Sequence, residues 1–199
     1  MRTLREHTSP AQALVEFALA ATLIFFLLAA VVDLGLIYFT MQALRVSAQE
    51  GATYGSYPRV ETDAQSRSNV VIDYSEIVYR VYGSAGERGG GFADLRDLNS
   101  DGIDDLGQGL HNNMATDPDA YIYIENLAGI DPQNLSDVGC RGDLPGEQLQ
   151  AGGRGCWLRV TVRYDYEVLF PFAPAIGDTI QLRAAHLTPM RSTVFTTAQ

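Results

Sequence analysis

Apolar and polar positions divide this chain into two unequal parts. Residues 17–39 are 23 consecutive positions with one charge, Asp33. As a helix that run spans about 34 Å, enough for the roughly 30 Å hydrocarbon core of a bilayer. Beyond it apolar residues recur at Met41, Leu44, Ala48 and Ala52, and Gln42, Arg45 and Gln49 fall away from them. Spacings of three and four make one helical stripe. Gly51, Gly55 and Pro58 are stop signals. The pattern predicts a single helix from Gln12 to about Ser56, roughly 68 Å long. Its first half is apolar all round. Its second half is amphipathic, with a stripe to bury against the chain's own domain or a neighbouring subunit.

The remainder reads as shorter elements. Val70, Tyr74, Ile77, Val78 and Val81 have helical spacing across residues 69–82, although their β-branched content weakens the pattern. Gly83, Gly86, Gly89, Gly90 and Gly91 mark a flexible loop. Residues 121–125 suggest a short strand. The clearest strand is 158–168, where Leu158, Val160, Val162, Tyr164, Tyr166 and Val168 alternate with Arg159, Thr161, Arg163, Asp165 and Glu167. Pro171 and Pro174 end it, and residues 179–184 alternate again as a hairpin return. The expected fold is α+β: a long N-terminal transmembrane helix continuing into a small antiparallel sheet that packs on its amphipathic half. Three segments follow: a leader at 1–11, the helix at 12–57 and an exported domain at 58–199.

Charge narrows the function. The chain of 199 residues has 24 Asp and Glu against 14 Lys and Arg, a formal net charge of -10. That balance argues against a nucleic-acid partner, because phosphate binding needs clustered cations. Arg2 and Arg5 precede the apolar run, so the positive-inside rule places the N-terminus in the cytoplasm and the domain outside the inner or plasma membrane. A cleaved signal peptide has an apolar region of about 7 to 15 residues. The longer run here, continued as helix, reads as a membrane anchor with the lipid bilayer as a partner. Glu16 lies at its cytoplasmic edge. Asp33 lies near its outer edge, where a carboxylate either snorkels to the interface or has a partner.

One dense motif carries chemistry. Asp97, Asn99, Asp101 and Asp105 stand at positions one, three, five and nine of a loop with Gly102 at six. This is the pattern of an EF-hand-type calcium loop, in which Ile103 supplies a backbone carbonyl. Gln108 occupies position twelve, where a bidentate glutamate is usual, so weak calcium binding is expected; a solvated acidic turn is the alternative. Cys140 and Cys156 allow one intramolecular disulfide in an oxidising compartment. Arg141-Gly-Asp143, the sequon at Asn134 and the three histidines (His7, His111 and His186) form no ligand-like or catalytic set. No nucleophile–base arrangement or phosphate loop stands out, so the chain is read as no enzyme.

The stretch Ala11-Gln12-Ala-Leu-Val-Glu16-Phe17 resembles the N-terminus of the TadE-like family, pseudopilins of tight-adherence (Tad) pilus systems. The family pattern is a glycine, four residues, then Glu and an aromatic ahead of an apolar helix; Ala11 stands here where glycine is usual. The likeness continues through Asp33-Leu-Gly35, Gln42-Ala-Leu44 and Glu50-Gly-Ala52, and returns at residues 158–170 and 180–191. It implies cleavage by a prepilin peptidase between Ala11 and Gln12, leaving Glu16 as the fifth mature residue. It also implies a pilin-like fold, with other pilin-like subunits and the Tad assembly machinery as partners. The reading it favours is a structural subunit of a Tad-type pilus, adhesion or secretion apparatus. The alternative is a monomeric membrane-tethered module at the cell envelope, ordered by calcium and binding a ligand. The identity of the mature N-terminus discriminates the two.

Overall fold

The structure, a computed structural model, describes residues 10–62, 68–84, 94–109, 114–129, 131–134, 155–169 and 179–191. Helix α1 runs unbroken over Pro10–Gly55. Pro10 suits its first turn, where a missing N–H costs nothing. At the other end the Ser56 amide still reaches the Ala52 carbonyl at 2.9 Å, and Pro58 cannot extend the ladder. Strands β1 (Arg59–Thr62) and β2 (Ser68–Val71) pair as an antiparallel two-stranded ribbon. Helix α2 (Tyr74–Gly83) and the single turn α3 (Asp105–Gln108) follow. Strands β3 (Ile122–Gly129), β4 (Gly155–Glu167) and β5 (Thr179–Pro189) form an antiparallel sheet with β4 in the centre.

Residues 69–82, expected as one helix, split into the end of β2 and α2. Asp73 makes the break: its side chain accepts the Glu76 amide at 3.1 Å and Ser75 Oγ at 2.7 Å. That N-cap satisfies a donor the first turn would otherwise leave bare, so the helix starts at Tyr74 and the β-branched residues before it stay extended. The strand expected at 121–125 begins at Ile122 and continues to Gly129. The hairpin return reaches Pro189, in register from Glu167↔Thr179 to Trp157↔Pro189.

The core lies between α1, α2 and one face of the sheet. Leu158, Val160, Val162, Tyr164 and Tyr166 of β4 all point into it, as the alternation predicts. Ile122 and Ile124 join from β3, Leu182 and Ala184 from β5, and Ile77, Val78 and Val81 from α2. On the opposite face Thr161 is fully buried at the centre of the three strands, between Tyr123 and Ala185, and Leu127 is buried further along β3. Leu44, Ala48 and Ala52 are completely inaccessible. Of the two partners open to the helical stripe, the chain's own domain is therefore the one it meets.

Small residues on that stripe set how close the layers come. A Cβ at Gly51 would sit 2.6 Å from Val81 Cγ2, and one at Gly55 would overlap Leu158 and lie 2.6 Å from Ile77 Cδ1. Ser47 Oγ donates to the Val81 carbonyl at 2.9 Å, a buried bond between α1 and α2. Glycine here is a packing requirement as well as the stop signal read from the sequence.

Candidate functional site

The first turns of α1 hold the residues expected to govern processing. Ala11, Gln12, Glu16 and Phe17 are all exposed, and Gln12 Nε2 donates to Glu16 Oε1 at 3.3 Å across one helical turn. This is the i,i+4 relation in which a group at position 12 is within reach of the Glu16 carboxylate. Arg2 and Arg5 lie outside the described residues.

From Ala11 to Val32 no residue of α1 is buried, and Leu14, Phe17, Leu19, Leu23, Phe25, Leu27 and Val31 stand out on different sides of it. The helix is long and apolar enough to cross a membrane, and its most apolar 18-residue stretch has no residue buried by the rest of the chain. It fits a single-pass membrane anchor. Burial begins abruptly at Asp33, only 6% exposed. Of the two expectations for Asp33, the structure supplies a partner: its Oδ1 accepts the Leu169 amide, just beyond β4, at 3.3 Å. Tyr166 lies beside it, its phenol pushed up first by burial and next by the Asp33 charge.

The acidic loop is closed by its own hydrogen bonds. Asp97 accepts the amides of Asp101 and Gly102 at 2.9 and 2.7 Å, and Asp101 accepts that of Ile103 at 2.8 Å. Ser100 and Gly102 have positive φ, 57° and 83°, and an open site without a Cβ suits the second. Gln108 donates to both oxygens of Asp101 at 3.1 and 2.8 Å. That bond, ahead of the Ile103 amide, holds the exposed Asp101 carboxyl below the usual range. Ile103 is exposed.

Asp105 differs from the others. It is fully buried: Oδ2 accepts the Leu98 amide at 2.5 Å, while Oδ1 has no hydrogen-bond partner among the described residues. Burial chiefly, and then the charges of Asp97, Asp101 and Asp104, push its carboxyl up to about 6, against the pull of the Leu98 amide. The donor types suit a hard cation, yet among the described residues no three Asp, Glu, His or Cys side chains gather in an arrangement that could hold one.

Sequence reasoning missed what docks this loop. Asp165, expected only as a solvent-facing strand residue, donates its amide to Leu98 O at 2.7 Å, and its carbonyl accepts Ser100 Oγ at 2.5 Å. Its carboxylate accepts Tyr121 Oη at 2.5 Å and Gln181 Nε2 at 3.2 Å. The loop thereby takes over the edge of β4 beyond its pairing with Ile122, the first residue of β3, and no periodicity could signal that. Cys156 is disulfide-bonded; Cys140, its expected partner, lies outside the described residues, as does Arg141-Gly-Asp143. The outward face of the sheet carries an open groove of about 750 Å³ lined by Tyr74, Tyr123, Glu125, Arg159 and Arg183. The Arg159–Glu125 ion pair at 3.2 Å lies within it.

The family model for TadE-like protein matches residues 11–53 of this chain. The match covers nearly all of α1 and none of the sheet, so the likeness noted at residues 158–170 and 180–191 lies outside it. No curated protein and no solved structure matches the chain.

Proposed function

We propose that this chain is a TadE-like, pilin-like subunit of a Tad-type pilus, adhesion or secretion apparatus, structural rather than catalytic. The observation that carries the reading is the division of α1. No residue from 11 to 32 is buried, and one face of residues 33–55 of the same helix is built into the domain core. The bare half is headed by the Ala11–Phe17 pattern, inside the stretch that matches the TadE-like family. Arg2 and Arg5 favour a cytoplasmic N-terminus, with the domain on the other side of the membrane.

Cleavage between Ala11 and Gln12 would leave a new ammonium at the edge of the lipid. Glu16 is one turn away and able to offset it, in its own chain or in a neighbouring subunit. The helix then serves first as an anchor and afterwards as a filament element, with prepilin peptidase, the assembly machinery and like subunits as partners. Mass spectrometry of protein extracted from membranes should find Gln12 as the first residue, and Glu16→Ala should impair assembly more than insertion. An intact Met1 terminus in a strain with an active prepilin peptidase would remove the processing claim.

The calcium-ordered module has one observation in its favour: the buried, unpartnered Asp105 Oδ1 at the ninth loop position. A divalent ion would satisfy that oxygen and offset the repulsion among Asp97, Asp101 and Asp105. Asp97, Asn99, Asp101, Asp105 and the Ile103 carbonyl would hold it, with Gln108 turned away from Asp101. The full chain in detergent should then melt at higher temperature in millimolar calcium than in chelator, with affinity of roughly 10⁻⁴ to 10⁻³ M. Asp101→Ala should abolish the difference. Coincident curves for folded protein would leave the loop a turn held by hydrogen bonds alone.

A further inference from the structure

The bare segment of α1 and the foot of the domain meet at one level. Residues 11–32 span about 33 Å, close to the thickness of a hydrocarbon core. Asp33 follows directly, and its carboxylate holds the Leu169 amide, so the end of β4 is pinned where that segment stops. Large apolar side chains are nevertheless left uncovered there. Leu169 is 65% exposed, and Leu34 and Tyr38 on the neighbouring turns of α1 are each more than half exposed. Tyr38 lies about 7.5 Å beyond Asp33 along the helix, at the depth of a headgroup layer. The register Glu167↔Thr179 also brings the start of β5 to this level.

We propose that this foot, made of Leu34, Tyr38 and Leu169, rests in the headgroup region of the outer leaflet. The sheet domain is then seated on the lipid surface and does not stand clear of it. The inference rests on the single-pass anchor of the proposed function. Continuity selects lipid as the occupant: the apolar surface at the foot runs without a gap into the segment read as the membrane anchor. Tyr and other amphipathic rings favour this depth. Asp33 is then a carboxylate at the hydrocarbon edge that has found a backbone donor, the arrangement that makes such a position tolerable. The contact is apolar, so it does not depend on anionic lipid.

Tryptophan fluorescence in the full chain, reconstituted in phosphatidylcholine vesicles, tests this. The native Trp157 is an internal reference, because its neighbour Cys156 accepts the Met190 amide at 2.8 Å and the Arg191 amide reaches Ser56 O at 3.0 Å. That places it at the far end of the domain, about 35 Å along α1 from Asp33. Leu169→Trp and Tyr38→Trp, both at exposed positions, probe the foot, and Phe25→Trp probes the anchor. Phospholipid brominated near the headgroup end of its acyl chains should remove the fluorescence added at 169 and 38 severalfold while sparing Trp157. Quenching of Phe25→Trp by deeply brominated lipid, with the probe at 169 quenched by aqueous iodide instead, would show a domain standing clear of the membrane and overturn the proposal. A probe at 169 shielded from both lipid and iodide would show that protein, such as a second copy of this chain, covers the foot, which also overturns it. Loss of the deep signal at 25 would remove the anchor itself.

Discussion

Between residues 11 and 32 the long helix turns Leu14, Phe17, Phe25 and Val31 outward on every side; between 33 and 55 it turns Leu44, Ala48 and Ala52 inward and hides them completely. The two halves share one unbroken backbone. They differ in where their bulk lies. The first half is large and apolar all round, a surface that no single neighbouring layer could cover. The second half keeps small residues, Ser47, Ala48, Gly51, Ala52 and Gly55, on the side facing α2 and β4, so the layers come too close to admit a Cβ at Gly51 or Gly55 without a shift. Apolar character alone therefore does not assign a helix to lipid or to a core. The distribution of side-chain size around the helix does.

The largest expected effect comes from paired leucine truncations. Leu44→Ala removes a fully buried side chain and should cost about 2–5 kcal/mol of domain stability. Leu27→Ala, at an exposed position, should leave domain unfolding unchanged. Thermal melts of the full chain in detergent, followed by Trp157, would measure both, and equal losses would mean that the halves are not energetically separate. Reducing the disulfide at Cys156 comes next. If it closes on Cys140, a loop of about 15 residues, its loss should cost on the order of 3 kcal/mol and leave insertion of residues 11–32 unaffected. Native protein that titrates two free thiols before any reduction would show the bridge absent.

The smallest effect is the most discriminating, because one substitution changes sign along one helix. Gly55→Ala forces a Cβ into Leu158 and Ile77 and should cost about 1–3 kcal/mol. At Gly35 a Cβ meets nothing within 4 Å, so Gly35→Ala should be neutral or stabilise by up to about 1 kcal/mol through helix propensity. A stabilised Gly55→Ala would show that the two layers are not in close contact around residue 55.

Much was legible because it depends on local pattern. The length of α1, its apolar run and its amphipathic continuation follow from spacing alone. The alternation at residues 158–166 named the inward face of β4 residue by residue. The boundary at Tyr74 was less accessible, because Val70, Ile77 and Val81 satisfy a helical period whether or not Asp73 interrupts it with a cap. The acidic motif showed a cluster of carboxylates in one loop, but not that Asp101 would accept the Gln108 side-chain amide or that Asp105 would turn inward to hold the Leu98 amide.

What the sequence determined by itself, then, was each element's intrinsic period: a helix long enough to span a bilayer, a half-buried strand and its hairpin return. These depend on residues a few positions apart, whose relative directions are set by backbone geometry. Only the tertiary structure decided that the amphipathic stripe meets the chain's own sheet, that Asp165 receives the acidic loop, and that Asp33 pairs with an amide 136 positions away. Contacts of that kind depend on which surfaces fit closely enough to exclude solvent. That is a property of packed shapes, and it leaves no period in the chain.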